Sequence, residues 1–220
     1  MLIVLALLAC KKESAPATPL VNMKATGKFV GNYRIESAQN PGGGSYSGDV
    51  AIKQQGEVYR LDWKLASGAQ FGVGIESGPA LGVGLAEAEP FGVVMYLVNG
   101  GELNGTWALP SSPKLGSEQL SGPAGLNGTY KIVKGLNPDG SEYTGTVAIS
   151  PRGKLYDVSW TVPGNDYKGT GVFSGNTFAV GWGTGKNVGV VLYTDAAGKL
   201  SGQWGQPAGT ELGLETLAKK

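Results

Sequence analysis

Hydrophobic and polar residues alternate along most of this chain with the period of two that is typical of half-buried β-strands. In the segment VYRLDWKL (58–65), Tyr59, Leu61 and Trp63 fall on one face and Arg60 falls on the other. No stretch shows a helical period. The pattern predicts antiparallel strands with one buried and one wet face, and therefore an all-β protein.

Gly-containing turns divide the second half of the chain into seven short strands and a candidate eighth. The predicted strands cover 128–133, 143–149, 155–162, 167–173, 177–182, 188–194, 200–204 and, as the candidate eighth, 210–217. The segment NPDGSE (137–142) is predicted to be a hairpin connection rather than a calcium loop, because its equivalent NPGGGS (40–45) lacks the oxygen ligands. The first half has the same pattern.

The chain contains a tandem duplication. A shift of 97 positions aligns Gly31–Leu120 with Gly128–Leu217 without a gap, and 33 of the 90 aligned positions are identical. We therefore predict two β repeats, 28–121 and 122–220. Seven or eight short strands with one apolar face need closure or a partner sheet, so each repeat is predicted to form a small up-and-down barrel. A two-layer sandwich and one larger sheet shared by both repeats are the alternatives.

Aromatic residues recur on the apolar faces. Trp160, Trp182 and Trp204 are 22 residues apart, and within one barrel they would cluster at one end. One interpretation is that the rings fill the core. The other is a pocket for an apolar or flat ligand. The candidate ligand-binding residues are Tyr46, Tyr59, Trp63, Tyr96, Trp107, Tyr143, Tyr156, Trp160, Trp182, Tyr193 and Trp204.

The two repeats differ in the size of some inward residues. Leu81 and Leu85 stand where the second repeat has Phe178 and Trp182. If either repeat holds a cavity, the first is therefore predicted to have more spare volume.

Residues for catalysis are scarce. Histidine is absent, which removes the commonest general base and the commonest metal ligand. Only one acid is retained in both repeats, as Glu118 and Glu215, and it is interpreted as a solvent-facing residue or a hydrogen-bond partner that closes the sheet. We predict no enzyme, no metal and no cofactor. A hydrolase that uses carboxylates is a less favoured alternative.

The charge balance and the hydropathy exclude some classes of partner. The formal net charge is +1, which gives no electrostatic reason to bind nucleic acid. No apolar run reaches the 18 residues of a membrane-spanning helix.

The N-terminus has an apolar run that ends at the single cysteine. The segment LLAC (Leu7–Cys10) resembles a bacterial lipobox, in which the cysteine is acylated and anchors the protein in a membrane. Residues 1–10 would be a truncated signal segment, and residues 11–27 a flexible tether. Lys11 rather than Asp follows the cysteine, and by resemblance to enterobacterial sorting this indicates the outer membrane.

The meander pattern loosely resembles calycin-type small barrels, the avidin-like and lipocalin-like proteins, which implies a fold and not an activity. Together these features predict a lipid-anchored protein of the bacterial cell envelope with a non-catalytic binding or structural role. Its expected partners are the membrane and either an apolar small molecule or an envelope protein. A protein- or glycan-interaction module is the alternative, since duplication offers avidity.

Overall fold

The computed structural model describes residues 23–86, 90–184 and 188–220. Every regular element in these ranges is a β-strand. No helix in this part of the chain is long and apolar enough to cross a membrane. Cys10, the predicted signal segment (1–10) and most of the predicted tether (11–27) lie outside the described residues.

Sixteen strands make up the described part of the chain. They are β1 (Gly31–Gln39), β2 (Gly48–Gln55), β3 (Val58–Leu65), β4 (Gly68–Ser77), β5 (Ala80–Ala86), β6 (Phe91–Asn99), β7 (Glu102–Ala108), β8 (Gly116–Ser121), β9 (Gly128–Leu136), β10 (Glu142–Arg152), β11 (Leu155–Val162), β12 (Asn165–Ser174), β13 (Thr177–Gly183), β14 (Gly189–Ala196), β15 (Lys199–Gly205) and β16 (Gly213–Lys219).

The strands form two closed barrels of eight antiparallel strands each. The first barrel consists of β1–β5 and β14–β16, and the second barrel consists of β6–β13. In both barrels each strand pairs with the next one in order, and the last pairs with the first, so both are up-and-down barrels. The predicted fold class is confirmed.

The prediction that each repeat forms its own barrel is wrong, because the barrels do not share their boundaries with the repeats. The first repeat supplies β1–β8 and the second supplies β9–β16, so each barrel takes five strands from one repeat and three from the other. The exchange occurs because β5 pairs with β14 and β6 pairs with β13, instead of β5 pairing with β6. As a result the second barrel is one uninterrupted segment that is inserted between β5 and β14 of the first barrel.

A separate apolar layer joins the two barrels. It includes Val73, Phe91, Val93, Met95 and Val190, which point away from the barrel interiors. β5 contributes Ala80 and Ala86 to the same layer. Both β5 and β6 are therefore buried on both faces, which explains why their sequences are continuous apolar runs.

Glycines allow the close approach between the barrels. A Cβ on Gly84 would overlap the backbone of Gly92, and one on Gly82 would overlap the side chain of Met95. A larger residue at Gly84 would force the two backbones apart, and one at Gly82 would require the Met95 side chain to move.

Each barrel is closed at one end. In the first barrel, Phe29 is buried in the interior and its carbonyl accepts a hydrogen bond of 2.9 Å from the Tyr33 hydroxyl. In the second barrel, Leu126 occupies the equivalent place, and Tyr130 donates to the Pro123 carbonyl at 3.1 Å. The opposite end of each barrel is open and is called its mouth below.

Candidate functional site

The mouth of the second barrel holds a cavity of about 480 Å³. This volume lies within the range of roughly 300–1,000 Å³ that is usual for small-molecule sites. The cavity is lined by Val94, Trp107, Glu118, Asn137, Glu142, Tyr143, Thr144, Trp160, Val162, Pro163, Asn165, Tyr167 and Trp182.

Four aromatic rings form a continuous row along the rim of this cavity. The Trp107 ring contacts the Trp182 ring edge to face, with centroids 6.0 Å apart and planes at 77°. Trp107 also meets Tyr143 at 6.4 Å and 70°, and Tyr167 meets Trp182 at 5.2 Å and 71°. Because neighbouring planes are nearly perpendicular, the rings surround a volume instead of stacking into a single slab.

A glycine on the neighbouring strand sets the position of the Trp107 indole. Gly116 on β8 pairs with Trp107 on β7, and a Cβ there would overlap the indole ring. Gly213 and Trp204 have the same relation in the first barrel. The retained glycine therefore provides the space in which the indole lies against the barrel wall.

A buried carboxylate forms the floor of the cavity. Glu118 is only 3% exposed. Its Oε1 accepts hydrogen bonds from the Tyr96 hydroxyl and, at 3.1 Å, from the Trp160 indole N–H. Its Oε2 accepts a hydrogen bond of 3.1 Å from the Tyr143 hydroxyl. Every donor to Glu118 is neutral, and no ion pair within the described ranges includes it.

Burial controls the protonation of Glu118 and of the two tyrosine hydroxyls that bond to it. It raises the pKa of the Glu118 carboxyl above its ordinary value, while the hydrogen bonds from Tyr96, Trp160 and Tyr143 oppose the shift. Burial and then the nearby Glu118 charge raise the pKa of the Tyr96 hydroxyl well above its ordinary value, and the pKa of the Tyr143 hydroxyl rises for the same reasons. Both phenols therefore remain hydrogen-bond donors at neutral pH.

The mouth of the first barrel has the same floor. Glu215 is 4% exposed, and its Oε1 accepts hydrogen bonds from the Tyr193 hydroxyl and, at 3.3 Å, from the Trp63 indole N–H. Tyr46 meets Trp204 edge to face at 6.3 Å and 73°, almost the geometry of Tyr143 and Trp107. Because of the strand exchange, Trp63 and Tyr46 come from one repeat and Glu215, Tyr193 and Trp204 come from the other.

The rim of the first mouth lacks two of the rings. Leu85 stands in place of Trp182, and Gln70 stands in place of Tyr167. The cavity there is about 350 Å³, smaller than the 480 Å³ of the second mouth. The prediction of more spare volume beside the leucines is wrong, because Trp182 and Tyr167 stand at the rim and extend the cavity wall instead of filling the interior.

The eleven predicted ligand-binding residues fall into three groups. Seven line the two mouths: Tyr46, Trp63 and Trp204 in the first, and Trp107, Tyr143, Trp160 and Trp182 in the second. Tyr96 and Tyr193 are buried and donate to the floor carboxylates. Tyr59 and Tyr156 belong to the other half of their barrels, where Tyr59 bonds to Glu76 and Tyr156 packs on Phe178 at 5.4 Å.

The predicted cluster of Trp160, Trp182 and Trp204 is wrong in one member. Trp160 and Trp182 share the second mouth, but Trp204 lies in the first. Trp107 takes the equivalent place in the second mouth, because β7 and β15 have exchanged barrels.

Two lining residues of the second mouth, Glu118 and Tyr167, are absent from the predicted ligand-binding set. Of the two interpretations of Glu118, solvent-facing residue or hydrogen-bond partner, only the second is correct. It lies two residues from the buried Leu120 on β8, so strand parity places it inside the barrel. Tyr167 lies two residues before Gly169 on β12, where a Cβ would meet the interior residues Val180 and Trp160. Strand parity therefore places Tyr167 on the inner face as well.

A third buried carboxylate lies at the closed end of the first barrel. Glu76 accepts hydrogen bonds from the Tyr59 hydroxyl at 2.6 Å and from the Thr26 backbone N–H and hydroxyl at 2.8 and 2.7 Å. Tyr59 in turn accepts a bond of 2.9 Å from the Gly27 N–H. This cluster attaches the segment before β1 to the barrel.

No group of three or more metal-ligating side chains is present in the described ranges. No protein-family model matches the chain, and no curated protein matches it. The geometry of the two mouths therefore carries the functional conclusion.

Proposed function

We propose that this chain is a lipid-anchored protein of the bacterial cell envelope that binds an apolar small ligand, without catalysis, in the mouth of the second barrel. The observation that carries the proposal is the cavity of about 480 Å³, rimmed by Trp107, Tyr143, Tyr167 and Trp182. A concave, largely apolar site with few polar groups is the usual form of a ligand pocket.

Membrane anchoring is supported by the lipobox-like LLAC segment and the tether that follows it. Within the described residues, Thr26 and Gly27 bond to Glu76 and Tyr59 at the closed end of the first barrel. A tether that leaves from this point would hold the mouth of the first barrel away from the membrane surface.

The alternatives have less support. Only Val30, Val133 and Leu214 are exposed large hydrophobic residues in the described chain, and none is aromatic, so a flat surface for a protein partner lacks an anchor. A hydrolase would need two free carboxylates at the second mouth. Glu118 and Glu142 both line it, but Glu118 is occupied by three hydrogen bonds, and Ser45 replaces Glu142 in the first repeat.

The test is a fluorescence titration with N-phenyl-1-naphthylamine, a neutral flat probe, on the full chain with Cys10→Ser so that no acyl chain competes. We expect saturable binding to one site per chain and a loss of about tenfold or more in affinity for Trp182→Leu, since one buried aromatic contact and its area are removed.

The matched control is Phe173→Leu, which removes a ring from the closed half of the same barrel, where Phe173 packs on Phe178 at 6.4 Å. This variant should bind the probe as the unchanged protein does. Unsaturable binding, or equal losses in the two variants, would contradict the proposed function.

A further inference from the structure

We propose that the ligand of the second mouth carries a cationic alkylammonium group, which the rim rings surround and which lies opposite Glu118. This inference rests on the proposed function and narrows its ligand to a chemical class.

The ring geometry suits a cation. Trp107 and Trp182 stand nearly perpendicular, as do Tyr167 and Trp182. Perpendicular rings around one space present π-faces from more than one direction, and a cation is attracted to each face within about 6 Å of the ring centroid. Indole gives the strongest such attraction, and Trp107, Trp160 and Trp182 all line this mouth.

The charge of the mouth also favours a cation. Glu118 at the floor and Glu142 at the edge are its charged lining residues, and no Lys or Arg belongs to the lining. The remaining polar lining residues are Asn137, Thr144 and Asn165. An anionic ligand would meet two carboxylates and no counter-charge, whereas an ammonium group meets only favourable charges.

Glu118 itself lacks a counter-charge. Buried ionised groups are normally paired, and its partners are the neutral donors Tyr96, Tyr143 and Trp160. A methylated ammonium in the cavity would supply the missing charge without displacing these bonds, because it acts through its charge and does not compete with Tyr96, Tyr143 and Trp160 as a hydrogen-bond donor.

A metal ion fits this site poorly. Calcium takes roughly six to eight oxygen ligands, while the lining is dominated by indole and phenol rings. Methylated ammonium has an apolar surface that matches those rings and a diffuse charge that needs no inner ring of oxygen ligands.

The first mouth provides an internal comparison. It keeps the carboxylate floor with Glu215 but has Leu85 and Gln70 in place of the two rim rings. We therefore expect it to bind the same cation more weakly.

The experiment is a calorimetric titration of the full chain carrying Cys10→Ser with choline and with 3,3-dimethylbutan-1-ol, its neutral isostere. We expect choline to bind at least about tenfold more tightly than the isostere, which is the order of magnitude of a desolvated cation–π site. Glu118→Gln should remove most of this preference, because it lowers the affinity for choline far more than the affinity for the isostere.

The matched control is Glu36→Gln, which removes one negative charge from the exposed Lys199–Glu36 pair on the first barrel. It should leave the preference for choline intact. If Glu36→Gln weakened choline binding as much as Glu118→Gln does, the effect would be general electrostatics and the inference would be wrong.

The remaining outcomes separate the two proposals. Equal affinity for choline and its isostere, or binding of N-phenyl-1-naphthylamine without binding of choline, would overturn the cationic ligand and leave the proposed function standing. Failure of all three probes to bind would overturn both.

Discussion

In the first barrel, Glu215 accepts hydrogen bonds from Tyr193 and Trp63 beneath a rim that contains Leu85 and Gln70. In the second barrel, the equivalent carboxylate Glu118 lies beneath a rim in which both of those positions are aromatic. The floors of the two mouths thus match residue for residue, while the rims have diverged.

This difference indicates which residues of the mouths are needed for the fold and which are open to a role in binding. The floor must be kept in both barrels because each buried glutamate satisfies donors that would otherwise be unpaired inside the barrel. Trp182 and Tyr167, the two rim side chains that differ from the first mouth, are half-buried and make no hydrogen bond to Glu118, so these two positions were free to change after duplication. The aromatic rim of the second mouth is therefore the part that we assign to ligand binding.

The closed ends of the two barrels also differ, but here the first barrel has the additional side-chain interactions. There the first barrel has the polar cluster of Glu76, Tyr59 and Thr26, whereas the second has Phe173 at the position of Glu76. The extra polar cluster binds the segment before β1, where the proposed tether would join the fold, and we attribute its presence in only one barrel to that attachment.

The largest predicted effect concerns the boundaries of the two barrels. Residues 90–184 contain all eight strands of the second barrel, and Phe91 pairs with Gly183, so the ends of this fragment lie side by side. We expect it to fold as a monomer with cooperative thermal unfolding, although exposure of its half of the inter-barrel layer will lower its stability.

The matched fragment is the first repeat, residues 28–121, of nearly the same length. In it β1, β5, β6 and β8 have each lost a partner strand, and unpaired edges promote association. We expect this fragment to form dimers or larger species in size-exclusion chromatography with light scattering. A stable, cooperatively folded monomer of the repeat, together with a failure of residues 90–184 to fold, would contradict the exchanged topology.

The next largest effect is expected on stability, when the buried glutamate at the floor of either mouth is replaced. Glu118→Ala leaves the buried Tyr96, Tyr143 and Trp160 donors without their acceptor, and we expect a loss of about 3–5 kcal/mol in the free energy of unfolding. Glu215→Ala should cost a similar or somewhat smaller amount. Denaturant titration measures both values, and a loss below about 1 kcal/mol for Glu118→Ala would show that the floor is not structural.

A smaller effect is expected at the closed ends. Tyr59→Phe removes the bond to Glu76 and leaves the Gly27 N–H unpaired, so the free energy of unfolding should fall by about 1–3 kcal/mol. The Tyr156 hydroxyl makes no hydrogen bond to other described residues, and Tyr156→Phe should change stability by less than about 0.5 kcal/mol. Equal losses in the two variants would remove the distinction between the closed ends.

The same cluster governs the titration of Tyr59. Burial and the bond to Glu76 raise the pKa of the Tyr59 hydroxyl to about 12. In the folded protein its ultraviolet titration should therefore occur above that of an exposed tyrosine.

The smallest effect is a pH dependence of stability. Burial raises the pKa of Glu118 above its ordinary 4.5, so the folded state holds this proton more tightly than the unfolded state does. The stability that the folded protein gains from binding this proton on Glu118 is present in full below pH 4.5. It is lost as the pH rises through the pKa that Glu118 has in the folded state. The stability of the unchanged protein relative to Glu118→Gln should therefore fall across that interval in denaturant titrations. A relative stability that rises with pH would contradict this assignment.

Much of the fold could be predicted from local patterns. The alternation in residues 155–162 gives the bounds of β11 as the structure has them, and the duplication gives the second set of strands from the first. Strand parity also predicts that Tyr59, Leu61 and Trp63 all point inward, and all three belong to the core of the first barrel.

The strand exchange could not be predicted in this way. β5 could pair with β6 as a hairpin or with β14 across the chain, and the local pattern of apolar residues is the same in both cases. The uninterrupted apolar runs of β5 and β6 indicate burial on both faces, but they do not identify the second barrel as what covers them. The composition of each mouth depends on this long-range pairing, so the site was only partly predictable.

The measurement that tests the central claim most directly is native mass spectrometry of the full chain with Cys10→Ser, purified from a bacterial envelope without detergent. It should be compared with the same chain carrying Trp182→Leu and Tyr167→Gln, which gives the second mouth the rim composition of the first. We predict one retained small molecule per chain in the first protein and none in the second. Equal retention by both proteins, or a bare chain mass for the unchanged rim, would contradict the assignment of the second mouth as the binding site.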